Sequence, residues 1–374
     1  MAKLFVVATP LQMLVAQQVI RQEKITDAVL LQSTFSNIPD FWACYDVCRI
    51  DSLWQKKLSD VFDFPSWDNQ GVKLLNTAFP TYKKYRKLRR ILSDNNIDSI
   101  FLADFQNQTY RFMTVLFRRQ GYNVAFYEEG YSHYVPRPAS LSNGVVAKIK
   151  EWILDVFYYL PVYHIRFAYW RNNPCCPYNK LPISRRYSII PGIHNESYDV
   201  RLYCKPMVSD KLAVYLKSEM GNLCSGKHYL FLGDPMSEVL DSKFRHLYYR
   251  VLKQALSKLD RDGILSIKFH PRETDQMKKD TLDAIDEIGI KYHVMSSKVN
   301  VPVEYFLLNI HFEEIFCFNT STYFYNGYLF PKCKFHKLLP ELLPLCEEAN
   351  VPSFNLEQMK SLIAKMDDMR CDMA

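Results

Sequence analysis

The feature that most constrains this chain is an alternation of short apolar runs with amphipathic helical stretches, which appears once in each half. In the first half, Leu4 to Ala8, Ala28 to Leu31, Ser99 to Ala103 and Val124 to Tyr127 read as buried strands. Between them, Leu11 to Arg21, Tyr82 to Ser93 and Thr109 to Gln120 carry a helical period. The second half resumes the pattern with strands at His228 to Leu232, Leu265 to Phe269, Lys291 to Val294 and Glu314 to Phe318. Its helices are Ser237 to Leu259, Gln276 to Ile288 and Leu356 to Asp367. Parallel strands need a crossover between them and a helix supplies it, so each half predicts a parallel sheet with covering helices.

A length of 374 residues exceeds one ordinary core and suits two. The expected fold class is therefore α/β, with two Rossmann-like lobes facing across a cleft. The connection is placed near the end of the aromatic, proline-rich stretch from Glu151 to Cys204, giving domains 1–200 and 201–374.

Composition narrows the function classes. Apolar residues make up 48% and charged residues 23%, a globular balance with little room for disorder. Glycine is scarce at 11, and neither a Walker loop nor a G-x-G-x-x-G occurs. The net charge of +7 fits an anionic ligand or a membrane surface better than a nucleic-acid track, and no nucleic-acid-binding module is recognisable. The ten cysteines have neither zinc spacing nor a disulfide framework, which predicts reduced thiols and a cytoplasmic chain. The opening apolar run, Leu4 to Ala8, is too short for a spanning helix or a signal peptide.

In an open α/β sheet, ligands sit beyond the carboxyl ends of the strands. Three loops there carry chemistry. Tyr127-Glu128-Glu129-Gly130 sets adjacent carboxylates at a strand end, where one can take a proton from an incoming hydroxyl; a solvated turn is the plain alternative. Lys268-Phe269-His270-Pro271-Arg272-Glu273 sets a histidine between basic groups, suited to a phosphate and a leaving group; a packed histidine is the alternative. Phe318-Asn319-Thr320-Ser321-Thr322 presents hydroxyls before a predicted helix containing Tyr323 to Tyr328, an anion site or an ordinary cap. Asp260-Arg261-Asp262 has the form of a metal-binding D-x-D, but with Gly263 it reads as a turn at the wrong end of a strand.

Taken in order, these motifs resemble those of bacterial sialyltransferases of GT-B architecture: an acidic D/E-D/E-G, an H-P and a later S/T pair. The chain is most similar to the lipooligosaccharide sialyltransferases, glycosyltransferase family 52. Thr9 to Ala16 resembles that family's opening segment, Leu232-Gly233-Asp234-Pro235 its L-G-x-P loop, and Val303-Glu304-Tyr305 its E-D/E-Y segment. The resemblance runs over about residues 4–330. It departs where the acidic pair is Glu-Glu rather than aspartates and the S/T element is Thr-Ser, and the aromatic middle has no counterpart.

The resemblance implies an inverting, metal-independent transfer of sialic acid from CMP-sialic acid, with no other cofactor. Glu128 would be the general base and Glu129 its neighbour, with Gly130 turning the backbone. His270 would bind the CMP phosphate and act as acid toward the departing nucleotide, beside Lys268 and Pro271. Thr320 and Ser321 would hold phosphate oxygens, Glu304 the ribose hydroxyls, and Gly233 and Pro235 would line the nucleotide pocket. Thr9 and Gln12 belong to the same substrate-binding set. The first lobe would then hold the base and the acceptor, and the second the CMP-sugar. The acceptor implied is a terminal galactose of a bacterial surface glycan, lipid-linked in its biosynthesis, joined in 2,3 linkage. Peripheral contact with the inner face of an anionic membrane is expected through the six cations from Lys83 to Arg90. Oligomeric state stays open, a homodimer included. The rivals are a transferase of the same fold with another nucleotide sugar and a non-catalytic, membrane-associated polysaccharide-assembly protein.

Overall fold

The computed structural model describes residues 1–34, 41–58, 62–63, 74–103, 108–128, 130, 145–167, 183–190, 197–220, 226–234, 240–296, 299, 301–330 and 333–371. The chain divides into two compact units, Met1–Ser209 and Asp210–Ala374.

The first unit is built on β1 (Ala2–Val7), β2 (Ala28–Thr34), β3 (Lys56–Lys57), β4 (Phe62–Asp63), β5 (Ile97–Ala103), β6 (Asn123–Tyr127), β7 (Arg185–Ser188) and β8 (Asp199–Arg201). They run in the order β3-β2-β1-β5-β6-β7-β8, with β4 also on β2, and every pairing is parallel. A parallel sheet is covered on both faces, so its central strands are apolar throughout: Leu4, Phe5, Val6 and Val7 are all fully buried. Phe5 stacks on Phe101 of the neighbouring strand at 4.3 Å. The first helix, Pro10–Gln22, starts where Thr9 accepts a hydrogen bond from the Gln12 amide, with Pro10 fixing the first turn.

Four strands of this sheet were not expected, the two-residue β3 and β4 and the longer β7 and β8. β7 and β8 lack an apolar pattern, and the buried Arg186 holds them together, reaching Asp199 Oδ1 at 2.6 Å from the register position opposite. Beyond β8, Gln18 donates to the Cys204 carbonyl and Arg21 to that of Lys205, both at 2.8 Å. These bonds keep Cys204 and Lys205 with the first sheet, and the first unit runs on to Ser209.

The aromatic middle opens on a helical run. Helix Val145–Leu154 passes through a π turn, Asp155–Tyr159, into Leu160–Tyr163. Tyr158, Tyr159, Tyr163, Ile165 and Phe167 pack on Phe112 and Leu116 as a satellite core.

The second unit carries β9 (His228–Leu232), β10 (Ile264–Lys268), β11 (Tyr292–Val294), β12 (Glu314–Cys317) and β13 (Lys334–Lys337), all parallel, in the order β11-β10-β9-β12-β13. Its core joins Phe231, Leu265, Ile267 and Phe316 to Leu252 and Leu256 of the helix Arg245–Leu256. That helix was expected from Ser237, but a 3-10 turn at Ser242–Phe244 precedes it. β13 was not expected, because Lys-Phe-His-Lys reads as polar. It is held by His336 stacked on Phe316 at 4.7 Å and by Glu314, which pairs with Lys334 at 2.9 Å and His336 at 2.6 Å.

Candidate functional site

The second unit has its topological switch point between β9 and β12, where the chain's crossovers leave in opposite directions, the place at which open α/β sheets bind ligands beyond the carboxyl ends. The loops after β9, β10 and β12 meet there in a chain of contacts. Gly233, which follows β9, donates its N–H to the Lys268 carbonyl at 2.9 Å. A Cβ on Gly233 would lie 2.2 Å from Glu273 Oε2, so only glycine leaves room for that carboxylate. Glu273 is buried and accepts the backbone N–H of His270, while its own N–H donates to the His270 carbonyl at 2.9 Å. The His270 turn is thereby fixed from both ends.

On the other side of β9, the buried Asp234 accepts the Asn319 N–H at 2.8 Å and fastens the Thr320-Ser321 loop beside Gly233. Glu304, buried on the helix Val303–Asn309, accepts from the Thr322 hydroxyl at 2.8 Å. Lys268 acts electrostatically on Glu304 and lies 5.8 Å from the centre of the Phe306 ring. Gly233, Lys268, His270, Glu304, Thr320 and Ser321 are thus gathered by one network.

The electrostatics of this end are specific. His270 is pushed down to about 4, first by burial and then by the cations Arg272 and Lys268. Its Nδ1 accepts the Arg272 N–H at 3.1 Å, so the neutral ring carries its proton on Nε2. In the unliganded protein this histidine is a neutral hydrogen-bond donor, not an imidazolium. Burial also raises Glu304 above the usual carboxylate range, against the opposing Thr322 hydroxyl and Lys268.

Thr320 caps a short 3-10 run, Ser321–Tyr325, by accepting the Thr322 N–H at 3.3 Å. The expected helix through Tyr328 is replaced by this run. Pro271 is exposed and Pro235 lies outside the described residues.

In the first unit, Glu128 follows β6 and is fully buried, which removes the solvated-turn alternative. Its Oε2 accepts the Ile189 N–H at 2.6 Å, and its own N–H donates to the Tyr187 carbonyl at 3.0 Å. The unexpected β7 and the residue after it therefore fix the carboxylate's direction. Gly130 has φ +130°, a conformation that favours glycine, and Glu129 lies outside the described residues. Tyr127 donates its hydroxyl to the Val6 carbonyl at 2.6 Å, tying the end of β6 to that of β1. There Thr9 and Gln12 act locally, Gln12 Oε1 accepting the Ala8 N–H at 2.6 Å.

Asp234, Glu273 and Thr322 were not singled out as functional in the sequence. Each lies within three residues of a motif position, but only the fold shows that they bind the motif loops to one another. Asp260 and Asp262 form a turn that precedes β10, with Gly263 donating to the Asp260 carbonyl at 3.0 Å and Lys227 pairing with Asp260 at 3.1 Å. They are thus at the opposite end of β10 from His270. Among the described residues no group of three or more His, Cys, Asp or Glu is set to hold a metal ion.

Among solved structures, the UDP-GlcNAc 2-epimerase of Methanocaldococcus jannaschii superimposes with a TM-score of 0.51 at 11% identity, covering 96% of this chain and 92% of that one. The UDP-GlcNAc 2-epimerase of Neisseria meningitidis gives 0.49 at 11% identity, with coverage of 96% and 94%. MurG of Acinetobacter baumannii gives 0.42 at 9% identity, with coverage of 98% and 95%. At these identities the likeness to the archaeal enzyme concerns the fold, an α/β fold of GT-B type. No curated protein matches in sequence. The family profile that matches is not that of the lipooligosaccharide enzymes which the motifs resemble, although it too describes sialyltransferases. Matched from residue 3 to residue 338, the chain belongs to the Alpha-2,8-polysialyltransferase (POLYST) family.

Proposed function

We propose that this protein transfers sialic acid from CMP-sialic acid to a glycan by inverting single displacement. The observation that carries the proposal is the gathering of His270, Lys268, Gly233, Glu304, Thr320 and Ser321 at the switch point of the second unit of a POLYST-family chain. The acceptor hydroxyl attacks the anomeric carbon, its proton passes to Glu128, and the bond from that carbon to the phosphate oxygen breaks. The transition state resembles an oxocarbenium ion, and a base with a leaving-group donor is enough for it.

The departing CMP keeps the bonding electron pair. His270 meets it with the Nε2 proton, assisted by Lys268 and the Thr320 and Ser321 hydroxyls. In the free protein this ring is neutral, so its acid role depends on the bound phosphate drawing its proton affinity upward. Glu304 accepts from the ribose, and Gly233 and Pro235 line the nucleotide. Thr9, Gln12 and Glu129 belong to the substrate side.

The family name favours a sialylated acceptor extended in 2,8 linkage over the galactose and 2,3 linkage implied by the motif resemblance. The carrier glycan is lipid-linked in this reading, and the protein works at the cytoplasmic face of the membrane. Metal is not needed, because one phosphate carries little charge to neutralise and the D-x-D turn precedes β10.

Both points meet in one assay. With CMP-sialic acid, acceptors ending in sialic acid should be extended in excess EDTA, and a linkage-specific sialidase should read the product as 2,8. Exclusive use of galactose with a 2,3 product would replace the acceptor reading. Loss in EDTA restored by Mg²⁺ or Mn²⁺ would replace the metal-independent one.

A further inference from the structure

We infer that the helical run from Val145 to Phe157 docks this protein on an anionic lipid bilayer, its apolar stripe lying at the boundary between headgroups and acyl chains. Val145, Val146, Ile149, Trp152, Ile153 and Phe157 are between 45% and 74% exposed. At about 100° per residue, the positions from Val145 to Ile153 fall within roughly 120° of the helix circumference. The π turn that follows advances less per residue and keeps Phe157 on the same side. The stripe is about 18 Å long at about 1.5 Å per residue, suited to lying along a surface. No helix among the described residues is long and apolar enough to cross a membrane.

Charge identifies the occupant. Lys148 and Lys150 are exposed and stand on the two borders of the stripe, about 40° from its edges on the same helical count. The acidic residues of the run, Glu151 and Asp155, lie on the other side, where Asp155 Oδ1 accepts the Phe167 N–H at 2.7 Å. That inner face is anchored through Tyr158, Tyr159 and Tyr163. Just past the stripe, a cavity of about 510 Å³ is lined by Arg118, Arg119, His164 and Arg166. The helix Leu74–Asp94, which carries the Lys83 to Arg90 cluster, packs against the same run through Tyr85 on Tyr163 at 5.5 Å. Apolar side chains with tryptophan and phenylalanine, bordered by cations, match an anionic headgroup layer over a hydrocarbon edge. The cation cluster expected from the sequence to touch the membrane thus becomes the flank of the surface, and the stripe its centre.

Docking requires neither donor nor acceptor, so it is tested apart from catalysis. The full chain should bind phosphatidylcholine vesicles containing phosphatidylglycerol more tightly than phosphatidylcholine alone. The variant I149E/W152E/F157E should bind at least about tenfold more weakly, while its transfer to a soluble acceptor matches wild type. These positions are exposed, so the fold should tolerate the changes. Brominated lipid should quench a part of the wild-type tryptophan emission that W152F lacks. Unchanged vesicle binding by the triple variant, or equal quenching in W152F, would overturn the proposal. So would a wild-type dimer that ignores vesicles and is dissolved by the same substitutions, since it would assign the stripe to a second copy. Vesicle binding without any sialyl transfer would leave docking standing and remove the reaction instead.

Discussion

Glu128→Gln is expected to lower the turnover of sialyl transfer by about 10²- to 10⁴-fold, the contribution of a positioned base, while CMP affinity stays within a few fold. The variant is informative because of how the side chain is held. Glu128 is fully buried and its Oε2 accepts the Ile189 amide. Glutamine keeps an oxygen for that N–H and cannot act as the base. Alanine would orphan a buried amide at a cost of about 1–3 kcal/mol, confusing instability with lost catalysis. The measurement is kcat beside the melting temperature: a large loss in kcat at unchanged stability assigns the base, and full activity removes Glu128 from the mechanism.

His270→Ala should weaken CMP binding and lower turnover together, because one ring is assigned both the phosphate contact and the proton donated to the leaving group. Gly233→Ala should act in the same direction without touching the ring. Its Cβ must displace the Glu273 carboxylate that holds the His270 backbone, and a misplacement of about 1 Å can cost about 10²-fold. The pH profile adds a sign. With the free histidine pushed down to about 4, kcat/KM should show no inflection from His270 near its ordinary value, whereas CMP affinity should fall as pH rises from 5.5 to 7.5, because the ring takes up a proton as the phosphate binds. An affinity that holds steady through that interval, or falls equally in the alanine variant, would show that the bound phosphate does not charge the ring.

How much of this was legible before the fold was known follows from what each element uses for stability. β1, β2, β5, β6, β9, β10 and β12 are apolar on both faces, and apolar density marks them directly. β7, β8 and β13 rest on paired charges and a stacked histidine, contacts that join residues with no common period. Missing β7 had a consequence for the site, since Glu128 takes its orientation from the chain around Tyr187 and Ile189.

The motif residues themselves were visible because they follow strands, where open α/β sheets present ligands. Their supports were not. Asp234 and Thr322 act by joining segments 85 and 18 residues apart, Asp234 to Asn319 and Thr322 to Glu304, while Glu273 braces the His270 turn against Gly233. The exposed stripe from Val145 to Phe157 was legible only in part, since the aromatic density from Trp152 to Trp170 suits a membrane interface, an acceptor groove or a core alike. The aromatic residues after it are core, and only burial separates Trp152 and Phe157, which face out, from Tyr158 and Tyr159, which face in.

The central claim is the donor. It is tested most directly by incubating the purified protein with a sialylated acceptor and either CMP-sialic acid or a panel of UDP-sugars, and following nucleotide release and acceptor mass together. The account predicts CMP release matched by acceptor gain in whole sialic acid residues, with no transfer from the UDP-sugars. Consumption of a UDP-sugar, with CMP-sialic acid left intact and no sialic acid on any acceptor, would contradict it.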